Sequence, residues 1–387
     1  MELDRADFLV PGPLVGSGGH RTIYRNAKAL AEAGCEVAVH IESDERRGRR
    51  SLRKVNKFYD TEGLSMHATW PDEVDGDVLV GTTWQSACHA ARIRSNVIKA
   101  HFVQDYEGWF YPQGDQRLAA ERVHDLGLES VVIGNWLSNI LEDDHGLSVR
   151  SVPFTADLST YGRQSGPGGA NPGFPQVVAM YQPEKPRRCP DLMEAALARL
   201  LGTVKNVKVI TVGSRFGPRL GERHEHLGLV STKRLSELYR SSSLGLSMST
   251  SNPSRVPFEM MAAGLPVVEL AIESNIYDLP ESGCLLSRPD PASLALAMTR
   301  VISEPELAAS LSEGGIAFMA NRDEAKETDA FVKAINSIVK REAPTAVDRS
   351  PLFTGEFVQS PGDTLWYPRG ESSLLGRIRR KASRGLG

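Results

Sequence analysis

Hydroxyl, amide and acidic side chains lie together in residues 249–268, which read STSNPSRVPFEMMAAGLPVV. Pro257 suits the first turn of a helix, because the amide hydrogen that proline lacks has no partner in that turn. Glu259 falls in the same turn, where the helix dipole favours a carboxylate. Serine hydroxyls, Asn252 and the helix amides can hold a phosphate or a sugar. We therefore expect a ligand site centred on Glu259; the alternative is that this acid only stabilises its own helix.

A basic loop occupies residues 181–189 (YQPEKPRRC), between a strand pattern and a helix pattern. It carries Lys185, Arg187 and Arg188 at the carboxyl end of the predicted strand, where parallel sheets bind ligands. Arginine offers a planar fork to phosphate oxygens, and lysine offers a point charge. We expect Lys185 and Arg187 to bind a diphosphate; the alternative is a solvated basic loop.

Residues 101–112 (HFVQDYEGWFYP) place two acids among aromatic side chains directly after another predicted strand. Aromatic faces stack on the apolar faces of sugars, and carboxylates accept hydrogen bonds from hydroxyls. We expect Asp105 to lie at a sugar or an acceptor, with Glu107, Trp109 and Tyr111 on the acceptor side. The alternative is a core strand followed by an aromatic-rich surface loop.

Glycines precede the first helix pattern in residues 16–21 (GSGGHR). Glycine lets the backbone approach a ligand, and a helix N-terminus favours an anion. The first two glycines of a G-x-G-x-x-G motif are present, but Arg21 replaces the third, while Glu42 ends the second strand where a ribose-binding acid belongs. We expect Gly18 and Gly19 to face a phosphate or a sugar. A nicotinamide site and a loop shaped by packing alone are the alternatives.

Short apolar runs alternate with longer amphipathic runs, which predicts parallel sheets with helices on both faces. Residues 164–175 interrupt this pattern with four glycines and three prolines, as is typical of a linker. The predicted fold class is α/β, with two Rossmann-like doubly wound domains that face each other across a cleft. The domains are residues 1–165 and 176–341, with a linker at 166–175 and a C-terminal extension with a basic tail at 342–387.

The predicted elements follow from the same periodicity, with Gly34 as a helix C-terminal cap. Strands are expected at residues 7–10, 36–41, 77–81, 97–103 and 130–133, and then at 176–180, 207–212, 244–249, 265–270 and 284–286. Helices are expected at residues 21–33, 85–92, 116–126 and 136–143, and then at 191–201, 231–240, 257–263, 291–302, 306–314 and 324–341.

Composition excludes several classes of protein. The 387 residues are 41% hydrophobic and 24% charged, with a net charge of −3, so no global basic field indicates nucleic-acid binding. No run approaches the roughly 18 apolar residues that span a bilayer. The charged N-terminus lacks the apolar stretch of a signal peptide. We expect a cytoplasmic protein with its four scattered cysteines reduced.

Metal binding is not expected. No histidine and cysteine residues have the spacing of a metal site. Asp75-Gly76-Asp77 has the D-x-D form of a metal-binding signature, but it runs directly into the apolar residues 78–80, which favours the start of a strand. We therefore expect no metal and no other cofactor.

Residues 249–268 resemble the donor-site helix of family-4 retaining glycosyltransferases of the GT-B fold, through Phe258-Glu259, two methionines and Gly264-x-Pro266-Val-Val. The loop that holds Gly18 and Gly19 is similar to the first glycine-rich loop of that family. Residues 226–239 (HLGLVSTKRLSELY) resemble its base-binding segment. Residues 102–112 and Lys185-Pro-Arg-Arg188 narrow the resemblance to the WsaF-type rhamnosyltransferases of bacterial surface-layer and polysaccharide synthesis.

The resemblance implies a glycosyltransferase that transfers a sugar from a nucleoside diphosphate sugar to a glycan acceptor in bacterial cell-surface polysaccharide synthesis. L-rhamnose from dTDP-rhamnose is the candidate donor, and the reaction is expected to be metal-independent and retaining. Glu259 would bond the ribose, whereas Ser251 replaces the glutamate that the family carries beside the transferred sugar. The residues implied are Asp105, Lys185 and Arg187 for catalysis and Gly18, Gly19, Arg188, Leu229, Ser251, Asn252, Ser254 and Glu259 for donor binding.

The expected partners are a dTDP- or UDP-linked sugar and a glycan or lipid-linked glycan acceptor, without nucleic acid. Residues 46–57 carry seven bases and no acid, and residues 374–384 carry five, which favours peripheral contact with the inner face of the membrane. A solvated loop and a disordered tail are the alternative. Two other functions stay open: another GT-B enzyme, such as an epimerase or a glycogen-type transferase, and a non-catalytic glycan- or nucleotide-binding protein.

Overall fold

The contacts of the chain divide it into two compact units. Unit 1 comprises Met1–Phe154 and Ala325–Arg349, and unit 2 comprises Thr155–Glu324 and Ser350–Gly387. The computed structural model describes residues 3–14, 16–43, 48–163, 174–362 and 364–368. The basic tail and most of the predicted linker therefore lie outside the described residues.

Unit 1 is built on a seven-stranded sheet in the order β3-β2-β1-β4-β5-β6-β7, in which every neighbouring pair is parallel. Its strands are β1 (Arg5–Val10), β2 (Glu36–Ile41), β3 (Ser65–Ala68), β4 (Val78–Gly81), β5 (Ile98–Val103), β6 (Glu129–Ile133) and β7 (Val149–Val152). Helices α1 (Gly18–Glu32), α2 (Gly48–Phe58), α3 (Trp84–Arg92), α4 (Asp115–Glu121) and α5 (Asn135–Asp143) connect them.

Apolar side chains fill the central strands of unit 1. Five of the six residues of β1 and all four of β4 are buried, as expected where helices cover both faces of a parallel sheet. The carboxylate of Asp77 accepts hydrogen bonds from the amides of Asp4 (2.8 Å) and Arg5 (2.9 Å). The D-x-D segment therefore ties the beginning of β1 to the beginning of β4, as the strand reading predicts.

Unit 2 is built on a six-stranded parallel sheet in the order β10-β9-β8-β11-β12-β13. Its strands are β8 (Gln176–Met180), β9 (Lys208–Val212), β10 (His224–His226), β11 (Leu244–Leu246), β12 (Val267–Leu270) and β13 (Cys284–Ser287). Its helices are α6 (Leu158–Tyr161), α7 (Pro190–Thr203), α8 (Thr232–Ser241), α9 (Val256–Ala262), α10 (Glu273–Asp278), α11 (Pro291–Ser303) and α12 (Pro305–Met319).

The last helix, α13 (Glu324–Val339), packs in unit 1 rather than with the helices that precede it in sequence. Its buried Phe331 ring lies 6.2 Å from the Phe8 ring and 4.8 Å from the Phe102 ring, measured between centroids. These contacts differ from the predicted domain bounds, which place this helix in the second domain. The reason is that an apolar helix face buries against whichever sheet it reaches, and sequence order does not specify that sheet.

Both sheets have the doubly wound order, so the predicted α/β fold class is confirmed. Gly34 ends the first helix at φ +97°, as predicted. The prediction missed β3, β7, β10, α2, α6 and α10, which are short or polar elements. Helix α2 in particular is mostly polar, with only Gly48 and Val55 buried. Within the described ranges, no helix is long and apolar enough to cross a bilayer.

Candidate functional site

The order of strands in unit 2 creates a switch point between β8 and β11, on either side of which the chain winds in opposite directions. Ligands of open parallel sheets bind at such a point, beyond the carboxyl ends of the strands. The basic loop, residues 181–189, follows β8, and residues 247–255 follow β11. Two segments that the sequence singled out therefore flank the same crevice position.

The two segments are hydrogen bonded to each other. The amide of Thr250 donates to the carbonyl oxygen of Arg187 at 3.0 Å, and the Thr250 hydroxyl donates to the same oxygen at 3.3 Å. The basic loop tightens into a 3-10 turn at Pro186–Arg188 and ends in a left-handed residue, Cys189, at φ +47°. Thr250, which sequence reasoning did not select, joins the predicted diphosphate loop to the predicted donor segment.

Lys185 is a half-buried cation in the basic loop, and its ammonium donates to the Gln182 side-chain oxygen at 3.3 Å. Burial, together with the neighbouring charges of Arg188 and Arg187, lowers the pKa of Lys185 to about 8. A partly desolvated ammonium flanked by two guanidiniums attracts an anion strongly, because little water screens it. The arrangement suits a ligand with more than one negative charge.

Residues 249–254 form a turn that is mostly buried apart from Thr250 and Ser254. Ser249, Ser251 and Asn252 are buried, and the Ser249 hydroxyl donates to the carbonyl oxygen of Asn252 at 2.9 Å. The Ser254 hydroxyl is partly exposed and accepts the amide of Val256 at 3.3 Å. Among the predicted residues of this turn, Ser254 is the one with exposed surface, whereas Ser251 and Asn252 lie inside the fold.

Glu259 lies half-buried in the first turn of α9, as predicted. The charge of Glu259 affects the buried hydroxyl of Tyr239 in α8. Burial raises the pKa of that hydroxyl well above its ordinary value, and the negative charge of Glu259 also contributes to the rise. The carboxylate therefore lies within electrostatic range of the buried hydroxyl of α8, the helix of the predicted base-binding segment.

The predicted base-binding segment, residues 226–239, begins at the last residue of β10, which pairs with β9. The Thr211 hydroxyl lies 2.8 Å from both His224 Nε2 and His226 Nδ1, and His226 Nε2 lies 3.1 Å from the carbonyl oxygen of Ser214. These contacts fix the loops that follow both strands. Leu229 lies just beyond them with its side chain 67% exposed, which is a surface available for an apolar face.

In unit 1, the glycine-rich loop leads into α1. Ser17 caps the helix by accepting the amide of His20 at 3.3 Å. A β-carbon at Gly18 would meet no atom within 4 Å, and one at Gly19 would lie 3.6 Å from the side-chain oxygen of Gln104. Gly18 therefore borders open space, whereas Gly19 lies against Gln104 of the loop that follows β5.

The aromatic segment also lies in unit 1, where Glu107 has a clear structural contact. Its carboxylate accepts the amide of Trp84 at 2.5 Å and so caps the first turn of α3, where the helix dipole favours a negative charge. The Trp84 indole donates to the Tyr111 hydroxyl at 3.1 Å, and the Trp109 ring packs 5.3 Å from the Trp136 ring. The aromatic segment is thus braced against α3 and α5.

Asp105 begins the turn after β5, and its carboxylate accepts the amide of Tyr106 at 2.9 Å. Trp109 keeps 38% of its surface exposed. The structure therefore brings the four predicted residues Asp105, Glu107, Trp109 and Tyr111 into one loop, at the carboxyl end of β5 and close to the amino end of α3.

Sequence reasoning missed Glu269, a fully buried acid in β12. Burial raises its pKa to about 7, although Arg188 and several hydrogen bonds lower it in part. The signal was visible as an acid inside the apolar run LPVVEL of residues 265–270.

In the described part of the chain, no group of three or more His, Cys, Asp and Glu side chains is placed to hold a metal ion.

Comparisons with known sequences find one family model and one curated relative that are similar to this chain. Residues 175–299 match the family model described as the WsaF C-terminal domain. The chain is 28% identical over 282 residues to the O-antigen biosynthesis protein RfbC of Myxococcus xanthus, which covers 71% of this chain and 22% of RfbC. The chain therefore spans about a fifth of the length of that curated relative.

Solved structures resemble both units. Anabaena Alr3699/HepE in complex with UDP-glucose has a TM-score of 0.67 at 17% identity, covering 86% of this chain and 99% of that one. A glycosyltransferase from Rickettsia africae has a TM-score of 0.64 at 13% identity, covering 88% and 98%. The resemblance that the sequence indicated is confirmed over residues 175–299. Together with the two doubly wound sheets, these similarities show the GT-B fold for the chain and a similarity to the WsaF C-terminal domain over residues 175–299.

Proposed function

We propose that the protein is a glycosyltransferase that moves a sugar from a nucleoside diphosphate sugar to a glycan acceptor in cell-surface polysaccharide synthesis. The observation that carries the proposal is the hydrogen-bonded pair of segments at the switch point of unit 2, where Lys185, Arg187 and Arg188 gather. The similarity to an O-antigen biosynthesis protein and to a UDP-glucose complex supports the same reaction class.

The leaving group of this reaction is a nucleoside diphosphate, so negative charge develops as the sugar bond breaks. Preorganised cations stabilise such charge most where water is excluded. Lys185 and Arg187 hold the diphosphate in this proposal, with Arg188 beside them, and no metal is required. Ser254 and Asn252 complete the donor turn, and Glu259 bonds the ribose hydroxyls.

The proposed reaction is tested by release of nucleoside diphosphate from UDP- and dTDP-sugars in the presence of a lipid-linked or free glycan. Wild type is expected to turn over, whereas Lys185→Ala is expected to lose most of the activity while remaining folded. Lys205→Ala is the matched control, because Lys205 is an exposed lysine before β9, at the opposite edge of the sheet. Equal activity of all three proteins would contradict the diphosphate role.

The donor is proposed to be dTDP-L-rhamnose, transferred with retention of configuration. The support is the WsaF match of residues 175–299, which includes the donor turn. Leu229 would pack against the base, and the sugar would bind without the glutamate of the wider family, because Ser251 replaces that glutamate and lies inside the fold. A comparison of dTDP-rhamnose with UDP-glucose as donors, followed by NMR of the product linkage, tests the sugar and the stereochemistry.

The acceptor is proposed to meet unit 1. Asp105, Glu107, Trp109 and Tyr111 share one loop, in which the partly exposed Trp109 ring can stack on a sugar. The open space at Gly18, next to Gly19 and Gln104, leaves room for substrate beside the same strand end. Trp109→Ala is expected to raise the KM for the acceptor more than the KM for the donor, since the exposed face of the ring is the proposed stacking surface for the acceptor sugar.

Peripheral membrane contact is proposed through α2. The helix has no acid, and Phe58 is 49% exposed at its end. Each base near anionic lipid contributes about 1 kcal/mol. Its exposed bases are Arg49, Arg50, Arg53, Lys54 and Lys57.

Flotation with phosphatidylglycerol vesicles tests the membrane contact. Binding should fall on changing Arg49, Arg50 and Arg53 to Gln and should weaken with salt. The matched control changes three exposed lysines at α13, Lys326, Lys333 and Lys340, to Gln. Equal flotation of the two variants would contradict a specific role for α2.

A further inference from the structure

Glu269 is a charged residue in the interior of unit 2 that the proposed reaction does not yet use. It lies in β12, paired opposite Leu286 of β13, with no exposed surface. Its Oε1 accepts two backbone amides, from Ser249 at 3.1 Å and from Leu270 at 3.0 Å. The first of these bonds fixes the residue at which the donor turn begins.

The same carboxyl interacts with the basic loop. Within the described part of unit 2, the ionisable groups that act on Glu269 or respond to it are Arg188, Cys189 and Cys284. Arg188 is the cation among them. Burial raises the pKa of Cys189 to about 11 and raises that of Cys284 as well, so both thiols are neutral between pH 6 and 8. The charge balance behind the loop in this range is therefore set by Glu269 and Arg188.

We propose that Glu269 is a positioning residue of the donor site, whose carboxyl anchors the turn at Ser249 and whose charge state controls how strongly Arg188 and its loop attract a diphosphate. This inference rests on the proposed function. It assigns a role to a buried acid that lies behind the site and does not itself touch the ligand.

The physical reason is that the carboxylate of Glu269 and a bound diphosphate both attract the positive charge of Arg188. An ionised Glu269 attracts Arg188 and cancels part of the field of the basic loop, whereas a neutral Glu269 leaves that field to the ligand. Its raised pKa, about 7, puts the change within the working range of most enzymes. By linkage, a bound diphosphate favours the protonated carboxyl, and affinity falls as pH rises through that pKa.

The test is calorimetric titration with UDP at pH 6 and pH 8, comparing wild type with Glu269→Gln. Glutamine keeps an oxygen to accept both amides and removes only the charge. At pH 6 the two proteins should bind UDP equally, and at pH 8 the variant should bind at least about threefold more tightly. Titration of the UDP phosphate and of Lys185 affects both proteins alike and cancels in the ratio.

Each outcome decides between the claims. A wild type that binds neither UDP nor dTDP contradicts the proposed function and this inference together, and if only dTDP binds, the same comparison is made with dTDP. A wild type that binds UDP with the same ratio to Glu269→Gln at both pH values contradicts the role of Glu269 alone. If the variant does not fold, infrared difference spectra of wild type with inorganic pyrophosphate at pH 7.5 replace it: a new protonated-carboxyl band supports the inference, and its absence overturns it.

Discussion

Replacement of Lys185 by methionine removes the charge of the basic loop's half-buried ammonium and keeps most of its volume. A hydrogen bond to a charged partner contributes about 1.5–3 kcal/mol, so the variant should bind UDP roughly 10- to 150-fold more weakly. The reason lies in the surroundings, because Arg187 and Arg188 already lower the pKa of Lys185 and a diphosphate relieves that repulsion. Calorimetric titration with UDP measures the loss directly.

The pH dependence provides a second readout of the same residue. Since burial lowers the pKa of Lys185 to about 8, the ammonium is mostly charged at pH 7 and mostly neutral at pH 9. Above pH 8, where Glu269 is already ionised, the affinity of wild type for UDP should therefore fall further as pH rises and Lys185 loses its charge. Lys185→Met should lack this further fall, whereas Lys205→Met should retain both the affinity and the fall. Wild-type affinity and pH dependence in a folded Lys185→Met protein would refute the reasoning.

Three further perturbations test other parts of the account. Phe331→Ala, which removes the ring packed on Phe102, should cost about 3–5 kcal/mol in unfolding free energy by chemical denaturation; a cost below about 1 kcal/mol would contradict the grouping of α13 with unit 1. Ser251→Glu, which restores the acid of the wider family at a buried position, should lower Tm sharply and not increase transfer, while Ser251→Ala should be mild. Glu107→Ala should cost about 1 kcal/mol through the lost cap at Trp84, and unchanged thermal stability would count against that cap.

The sheets were accessible to sequence reasoning because their strands are buried on both faces and read as apolar runs. Strand β2 was predicted with its observed bounds, and β8 likewise. The strands that escaped have weaker signals: β3 alternates exposed and half-buried residues, and β10 consists of His224, Glu225 and His226. Pairing with a neighbouring strand stabilises such short polar segments, and that neighbour is not visible in local sequence.

The candidate site was predictable in outline and not in detail. The types and order of side chains indicated the basic loop and the donor turn, and the structure joins them through Thr250. Which of these side chains can contact a ligand depends on burial, which the sequence does not show. Ser251 and Asn252 share the polar composition of Ser254 but lie inside the fold, and Glu269 was hidden as a single acid within an apolar strand. A sequence lists hydrogen-bonding groups without showing which of them keep a surface for ligand.

The most direct measurement of the donor site is a thermal-shift panel of the wild-type protein with dTDP, UDP, GDP and their sugars. A ligand that binds only the folded protein raises its Tm. Nucleoside diphosphates are expected to raise Tm, with dTDP-rhamnose giving the largest shift and Lys185→Ala reducing all of them. No shift with any nucleotide or nucleotide sugar would contradict a donor site at the switch point of unit 2.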